Sequence, residues 1–158
     1  MSHPSISANP YMEKALELAN YAPVTGDVPV GAVVVCNDRI VGVGWNAREA
    51  GKRITAHAEL IALEAAAQEL GRWKLDGCDL YVTLEPCSMC ASAIVQARIR
   101  SLYFAAWDPK AGAAGSVIDL FHQAWLNHQV TVYEGIMEEA GKALLQDFFR
   151  NLRQSPTD

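Results

Sequence analysis

Two short segments hold the residue types that metal chemistry needs. Thr55-Ala56-His57-Ala58-Glu59 supplies an imidazole and a carboxylate, and Leu84-Glu85-Pro86-Cys87-Ser88-Met89-Cys90 supplies two thiols three residues apart. Proline suits the first turn of a helix, where its missing N–H has no partner to lose. Pro86 therefore predicts a helix start, with Cys87 and Cys90 close enough in angle to share a face at the positive end of the dipole, where thiolates are favoured. Two thiolates and an imidazole form a soft three-donor set suited to Zn²⁺ at about 2.0–2.3 Å.

Four protein donors close a structural zinc site, whereas three leave a position for water. Cys36 and Cys78 fall in a strand and a turn, and His122 and His128 in a late polar segment, none with convincing spacing for a fourth donor. The count favours a catalytic zinc, which lowers the pKa of water from about 15.7 to about 7. Glu59 lies about 200° from His57 around a regular helix, too far to share one ion comfortably. At a helix start, the histidine can reach the metal while the glutamate reaches its water and carries protons. Alone, C-x-x-C is as readily a redox pair, and His-Ala-Glu on a helix is usually only sequence. Together, with proline directly before the first cysteine, they point to metal-assisted hydrolysis.

These segments must be held by something. Tyr11–Tyr21 carries Met12, Ala15, Leu16, Leu18 and Ala19 at helical spacing. Val30–Cys36 and Arg39–Trp45 are β-branched runs joined by Asn37-Asp38, which predicts a hairpin. A helix is expected over His57–Leu70, closed by Gly71. A strand at Asp79–Leu84, a helix at Pro86–Ala97 and a strand at Ser101–Ala105 follow, then a Gly/Ala-rich loop over Lys110–Ser116. Val130–Tyr133 reads as a short strand. Met137–Leu152 reads as an amphipathic helix with Ala140, Leu144, Leu145, Phe148 and Leu152 on one side. Strands separated by helices after an antiparallel hairpin predict an α/β layered domain with a mixed sheet.

At 158 residues the chain fits one domain, residues 1–158, with a core over about 11–153 and frayed ends at 1–9 and 154–158. Half of the residues are apolar, enough to bury a core without disulfide staples. The start has no cationic flank or apolar run, and no stretch reaches the ~20 apolar residues of a spanning helix. A cytoplasmic protein without membrane attachment is expected. Thirteen basic against 18 acidic residues give a net charge of −5, which excludes a histone-like coat of positive charge but not a local basic patch. Arg98, Arg100 and Lys110 against Asp108 suggest such a patch between residues 98 and 110.

The metal motif resembles that of the zinc-dependent nucleobase deaminases, with H-x-E followed by P-C-x-x-C. The resemblance implies a cytidine-deaminase-like fold, a three-layer α/β/α arrangement around a mixed five-stranded sheet. It implies that His57, Cys87 and Cys90 hold one zinc per subunit and that Glu59 shuttles protons. Asp27–Val35, Gly44-Trp45-Asn46, Gly112–Ser116 (GAAGS) and Asp147–Arg150 (DFFR) extend the likeness to bacterial tRNA-specific adenosine deaminases over about Tyr11–Arg153. That family converts the wobble adenosine of an anticodon to inosine. Carried over by position, Asn46 hydrogen-bonds the flipped adenine and Val30 packs on its face. Asp108 and Lys110 touch the anticodon backbone, while Phe149 and Arg150, with Phe148, line the path of the splayed loop. Phe148 has the better spacing for the core and Phe149 for an exposed ring.

Trp107 stands where many members carry a basic residue, and Arg53-Ile54 replaces a common Asp-Pro. The resemblance also implies a homodimer whose partner is the tRNA anticodon stem-loop, and Ile94, Val95 and Leu120 are candidates for either interface or core. Two other readings remain: a deaminase of a free base or nucleoside such as guanine or cytosine, and a silent zinc-stabilised RNA-binding module, which has no need of Glu59.

Overall fold

The computed structural model of the chain describes residues 8–154. Helix α1 (Pro10–Ala19) leads through a 3₁₀ turn (Ala22–Thr25) into the strands β1 (Gly31–Cys36) and β2 (Arg39–Trp45). A single turn, α2 (Arg48–Gly51), precedes α3 (Ala58–Leu70), β3 (Cys78–Leu84) and α4 (Ser88–Gln96). The chain closes with β4 (Ser101–Ala106), β5 (Thr131–Tyr133) and α5 (Glu138–Gln154). The five strands form one sheet in the order β2-β1-β3-β4-β5. β1 is antiparallel to both β2 and β3, whereas β4 runs parallel to β3 and to β5. This is the expected mixed sheet.

Period-two alternation sorts side chains onto the two faces of the sheet. Ala32, Val34, Leu80, Val82, Leu102 and Phe104 pack on one side with Ala62 and Leu63 of α3 and Ala91 and Ile94 of α4. Val33, Val35, Tyr81 and Ala105 pack on the other with Met12, Ala15 and Leu18 of α1. Helix α5 joins this second side, with buried Gly141 set against Ala105. The result is the three-layer arrangement. The β1–β2 hairpin turns at Asn37 and Asp38 with φ of 51° and 61°, the left-handed pair that a two-residue hairpin requires.

Close approach between α3 and β2 fixes where the histidine segment begins. A Cβ at Gly44 would sit 2.4 Å from the carbonyl oxygen of Ala58, so only glycine lets the start of α3 lie this near the sheet. Ala58, Ala62 and Ala66 keep the facing side of the helix equally thin.

Several local expectations shift. Pro86 precedes the helix instead of opening it: Cys87 is the N-cap of α4, and Ser88 is its first residue. α2 and the 3₁₀ turn give no periodic signal in the sequence, because each is only four residues long. Ile94 and Val95 are buried in the core and Leu120 packs against it, so in this chain they serve packing. On α5, Leu144, Leu145 and Phe148 are half-buried as the pattern predicts, but Leu152 is exposed where the long helix runs past the sheet. The expected frayed ends lie mostly outside the described residues. Within them, Asn9 caps α1 by accepting from Tyr11 N and Met12 N, and Gln154 ends α5. Among the described residues, no helix is long and apolar enough to cross a membrane.

Candidate active site

Two helices begin at one point beyond the end of β3. His57 is the N-cap of α3 and Cys87 the N-cap of α4, both with extended backbone, and neither side chain caps its own helix. They turn towards each other instead. His57 Nδ1 lies 3.4 Å from Cys90 Sγ and 3.6 Å from Cys87 Sγ. Arms of ~2.0–2.3 Å give a tetrahedron with edges of about 3.3–3.8 Å, so these separations are those of donors around one zinc. Among the described residues, no other His, Cys, Asp or Glu joins this group. Cys36 and Cys78 face each other across β1 and β3 in the core, His122 pairs with Asp119, and His128 bonds the Ile99 carbonyl.

The electrostatics suit cation binding. A hydrogen bond from Cys90, aided by His57, holds the Cys87 thiol down at about 3. The same bond, with burial, pushes Cys90 up, and a dication among the donors displaces that proton. The hydrogen bond to Cys87 also raises His57. Glu59, in the first turn of α3, is buried and within hydrogen-bond reach of Cys90. Burial raises its carboxyl to about 7, against the opposing pull of His57. The positive ends of both helices face this cluster and stabilise negative charge placed there.

A cleft of about 1500 Å³ opens over the cluster. Val30, Asn46, His57, Glu59, Cys87, Asp108, Lys110, Phe149 and Arg150 all line it, and Cys90 lies buried directly behind His57, so the structure brings together every expected site residue. Residues 6–106 match the cytidine and deoxycytidylate deaminase zinc-binding region. The tRNA-specific adenosine deaminase of Bacillus subtilis (strain 168) is 44% identical over 91% of this chain and 89% of its own length. A solved structure from work on A-to-I editing by tRNA:A34 deaminases superposes with a TM-score of 0.82 at 44% identity, covering 85% of this chain and 98% of its own. The chain belongs to the zinc-binding cytidine and deoxycytidylate deaminases, in the tRNA-specific adenosine deaminase branch.

A guanine deaminase from Nitrosomonas europaea shares the deaminase fold at a TM-score of 0.73 and 27% identity, covering 93% of this chain and 88% of its own. Against that shared frame, the walls of the cleft set this deaminase's character. Arg48, Lys52, Arg53 and Lys110 line it from the loops, and Lys142, Arg150 and Arg153 from α5. Seven of the chain's 13 basic residues thus gather here, on a protein of net charge −5. The expected patch at residues 98–110 is not continuous. Arg98 and Arg100 flank the start of β4, opposite the cleft, where Arg100 pairs with Asp79 and Arg98 bonds Asn127. Arg53 and Ile54, the departures from Asp-Pro, both border the cleft. Trp107 lines it too and packs edge-on against Phe104, with ring centroids 4.9 Å apart.

Asn46 does local work at the mouth. Its Nδ2 donates to Val28 O and its Oδ1 accepts from Ala58 N, which ties the end of β2 to the start of α3. One N–H and one lone pair remain on the amide. Phe149 presents an exposed ring, and Phe148 turns inward against it.

Two carboxylates that sequence reasoning left without a role hold the walls. Asp27 accepts from Glu49 N at 2.8 Å, Ala50 N at 3.2 Å and Thr25 Oγ1 at 2.8 Å, binding the 3₁₀ turn to α2. Glu85 gathers the loop after β4 in the same way. Neither has a sequence signal, since the amides they accept from are more than 20 residues away.

Cys87→Ala is expected to lower bound zinc from one per chain to a small fraction and to reduce thermal stability, read by metal analysis and calorimetry. A fully metallated variant would refute the donor set. Burial pushes the Asp27 carboxyl up, but its backbone and Thr25 hydrogen bonds outweigh this and leave it below its ordinary value of 3.8. The carboxylate's stabilisation is therefore fully present above about 4 and is lost as pH falls through the depressed folded-state value. Denaturant titrations of wild type and Asp27→Asn should differ by about 1–2 kcal/mol at pH 7 and converge towards pH 2. A gap that stays constant with pH contradicts this account.

Proposed function

We propose that this protein hydrolyses the wobble adenosine of a tRNA anticodon to inosine, with His57, Cys87 and Cys90 holding one zinc per subunit and Glu59 moving the protons. Zinc bound there supplies a Lewis acid that makes hydroxide available at neutral pH. The chain's own residues do the rest. Glu59, buried beside the donor cluster, accepts a proton from the attacking water and passes it to the purine ring nitrogen. Oxygen bonds to C6; Glu59 then takes the second proton from the new C6 hydroxyl and delivers it to the amine, so the C6–N bond breaks, ammonia leaves and a C6 carbonyl remains. The remaining N–H and lone pair of Asn46 orient the flipped base, and Val30 packs on its face.

The observation that carries this reading is the size and charge of the cleft. Small-molecule pockets are typically about 300–1,000 Å³, below the volume of this cleft, and a free guanine or cytosine has no phosphate to engage cations on two walls. A splayed anticodon does. We assign Lys110 and Arg150 to its phosphates, Asp108 to shaping the loop that meets its backbone, and Phe149 to a stacked base, an interaction worth about 1–3 kcal/mol. A silent RNA-binding module has no use for a carboxyl buried against the metal donors, and that favours an enzyme. A tRNA substrate and free thiols support a reducing, cytoplasmic location. We also infer a homodimer, since Val117, Ile118 and Trp125 leave large apolar surfaces exposed along the connection between β4 and β5.

Glu59→Ala should retain zinc while inosine formation in an anticodon stem-loop falls about 10²–10⁴-fold; retained turnover would sink the proton-shuttle assignment. Faster ammonia release by the wild type from free guanine, cytosine or adenosine than from the stem-loop would replace tRNA as the substrate. Sedimentation velocity should give twice the chain mass, and a single-chain mass at micromolar concentration overturns the dimer.

A further inference from the structure

Glu85 stands two residues before a metal donor and borders the cleft, yet its carboxylate is taken up entirely by the loop after β4. It is 2% exposed. Oε1 accepts from Asp108 N at 2.9 Å and from the Ser116 hydroxyl, and Oε2 accepts from Ala114 N at 2.9 Å and Ser116 N at 3.0 Å. A carboxylate has about four acceptor sites, and a single loop fills them all. Among the described residues, no lysine or arginine pairs with this carboxylate. Burying such a charge without a cation is costly unless hydrogen bonds replace its water. Three amides and a hydroxyl do so here.

The surrounding backbone is fitted to the carboxylate. Glu85 N donates to Ala106 O at 2.8 Å and Ala113 N donates to Pro86 O at 2.8 Å, so the loop is laced along the segment that leads into Cys87. Gly112 passes directly over the carboxylate, and a Cβ there would fall 2.2 Å from Oε1. The consequence reaches the cleft. With Asp108 N fixed on Glu85, Asp108 Oδ1 accepts from Lys110 N and Ala111 N, and this turn sets Lys110 on the cleft wall.

Resting on the tRNA reading above, we propose that Glu85 is a positioning residue for substrate affinity: it hangs the 107–116 loop from the segment carrying Cys87, so that Asp108 and Lys110 meet the RNA in a fixed place. It touches neither substrate nor metal. Its role is a contribution to binding shared by ground and transition states, which appears in KM and leaves kcat largely alone.

Glu85→Gln is the direct test. Glutamine keeps one acceptor oxygen and turns an NH₂ towards two of the loop's donors. Zinc content should stay at one per chain, amide hydrogen exchange over residues 108–116 should quicken at least tenfold, and KM for the stem-loop should rise about tenfold with kcat within about threefold. Unchanged exchange, an unchanged KM, or a fall in kcat at constant KM overturns the proposal. Ser116→Ala, which removes one donor and strands no charge, should shift exchange and KM in the same direction by a smaller factor, and it decides the question if Glu85→Gln does not fold. The two readings fail separately. Wild type that leaves the stem-loop unmodified sinks the tRNA substrate, whereas an active wild type with unmoved exchange and KM in both variants sinks the role of Glu85.

Discussion

The structure depends on bringing two thiols and an imidazole to within a tetrahedron edge of one another, from segments thirty residues apart. Such a cluster resists assembly, because it crowds donors that are better solvated apart. The fold accomplishes it by starting two helices at the same place. β3 passes into α4 through only Glu85, Pro86 and Cys87, and α3 is drawn against β2 where Gly44 meets Ala58. With both helix N-termini aimed at the cluster, the backbone itself supplies positive potential to thiolates and to the buried Glu59. The metal chemistry is thus a property of how the central strand ends as much as of the ligands.

Charge is distributed with a purpose that the net value conceals. The chain is acidic, yet more than half of its cations line one cleft. Three of them have acidic neighbours: Lys52 beside Glu49, Lys142 beside Glu138, and Arg150 beside Asp147. Exposed pairs of this kind are worth little in water and exchange readily for a phosphate. Affinity for a polyanion follows from such local fields, screened over about 8–10 Å, and an acidic body outside that range does not cancel them.

Asp27 and Glu85 show a common solution to building walls without regular structure. Each is a carboxylate buried among backbone amides, and each binds to the scaffold a segment too short or irregular to hold itself: the single turn of α2 in one case, the loop after β4 in the other. Loops around reactive centres must present particular groups while lacking a ladder of their own. A carboxylate with several amide partners fixes them at the cost of one desolvated charge.

The sequence alone pointed to the candidate donors His57, Cys87 and Cys90, because they sit, with Glu59 beside them, in short segments whose residue types admit few other chemistries together. It also determined the strands and helices with strong local signals, since the β-branched run in Val30–Cys36 and helical spacing in Met12–Ala19 are local facts. GAAGS was visible as a signature but without a reason; the reason is that Gly112 must clear the Glu85 carboxylate, a contact made across 27 residues. Only tertiary structure decided that Arg98 and Arg100 lie away from the site, that Ile94 and Val95 are core, that Asn46 is already engaged by Val28 and Ala58, and that Asp27 and Glu85 hold the walls. Periodicity and spacing report neighbours along the chain, whereas which end of a strand a residue occupies, and which distant amide its side chain meets, exist only once the sheet is assembled.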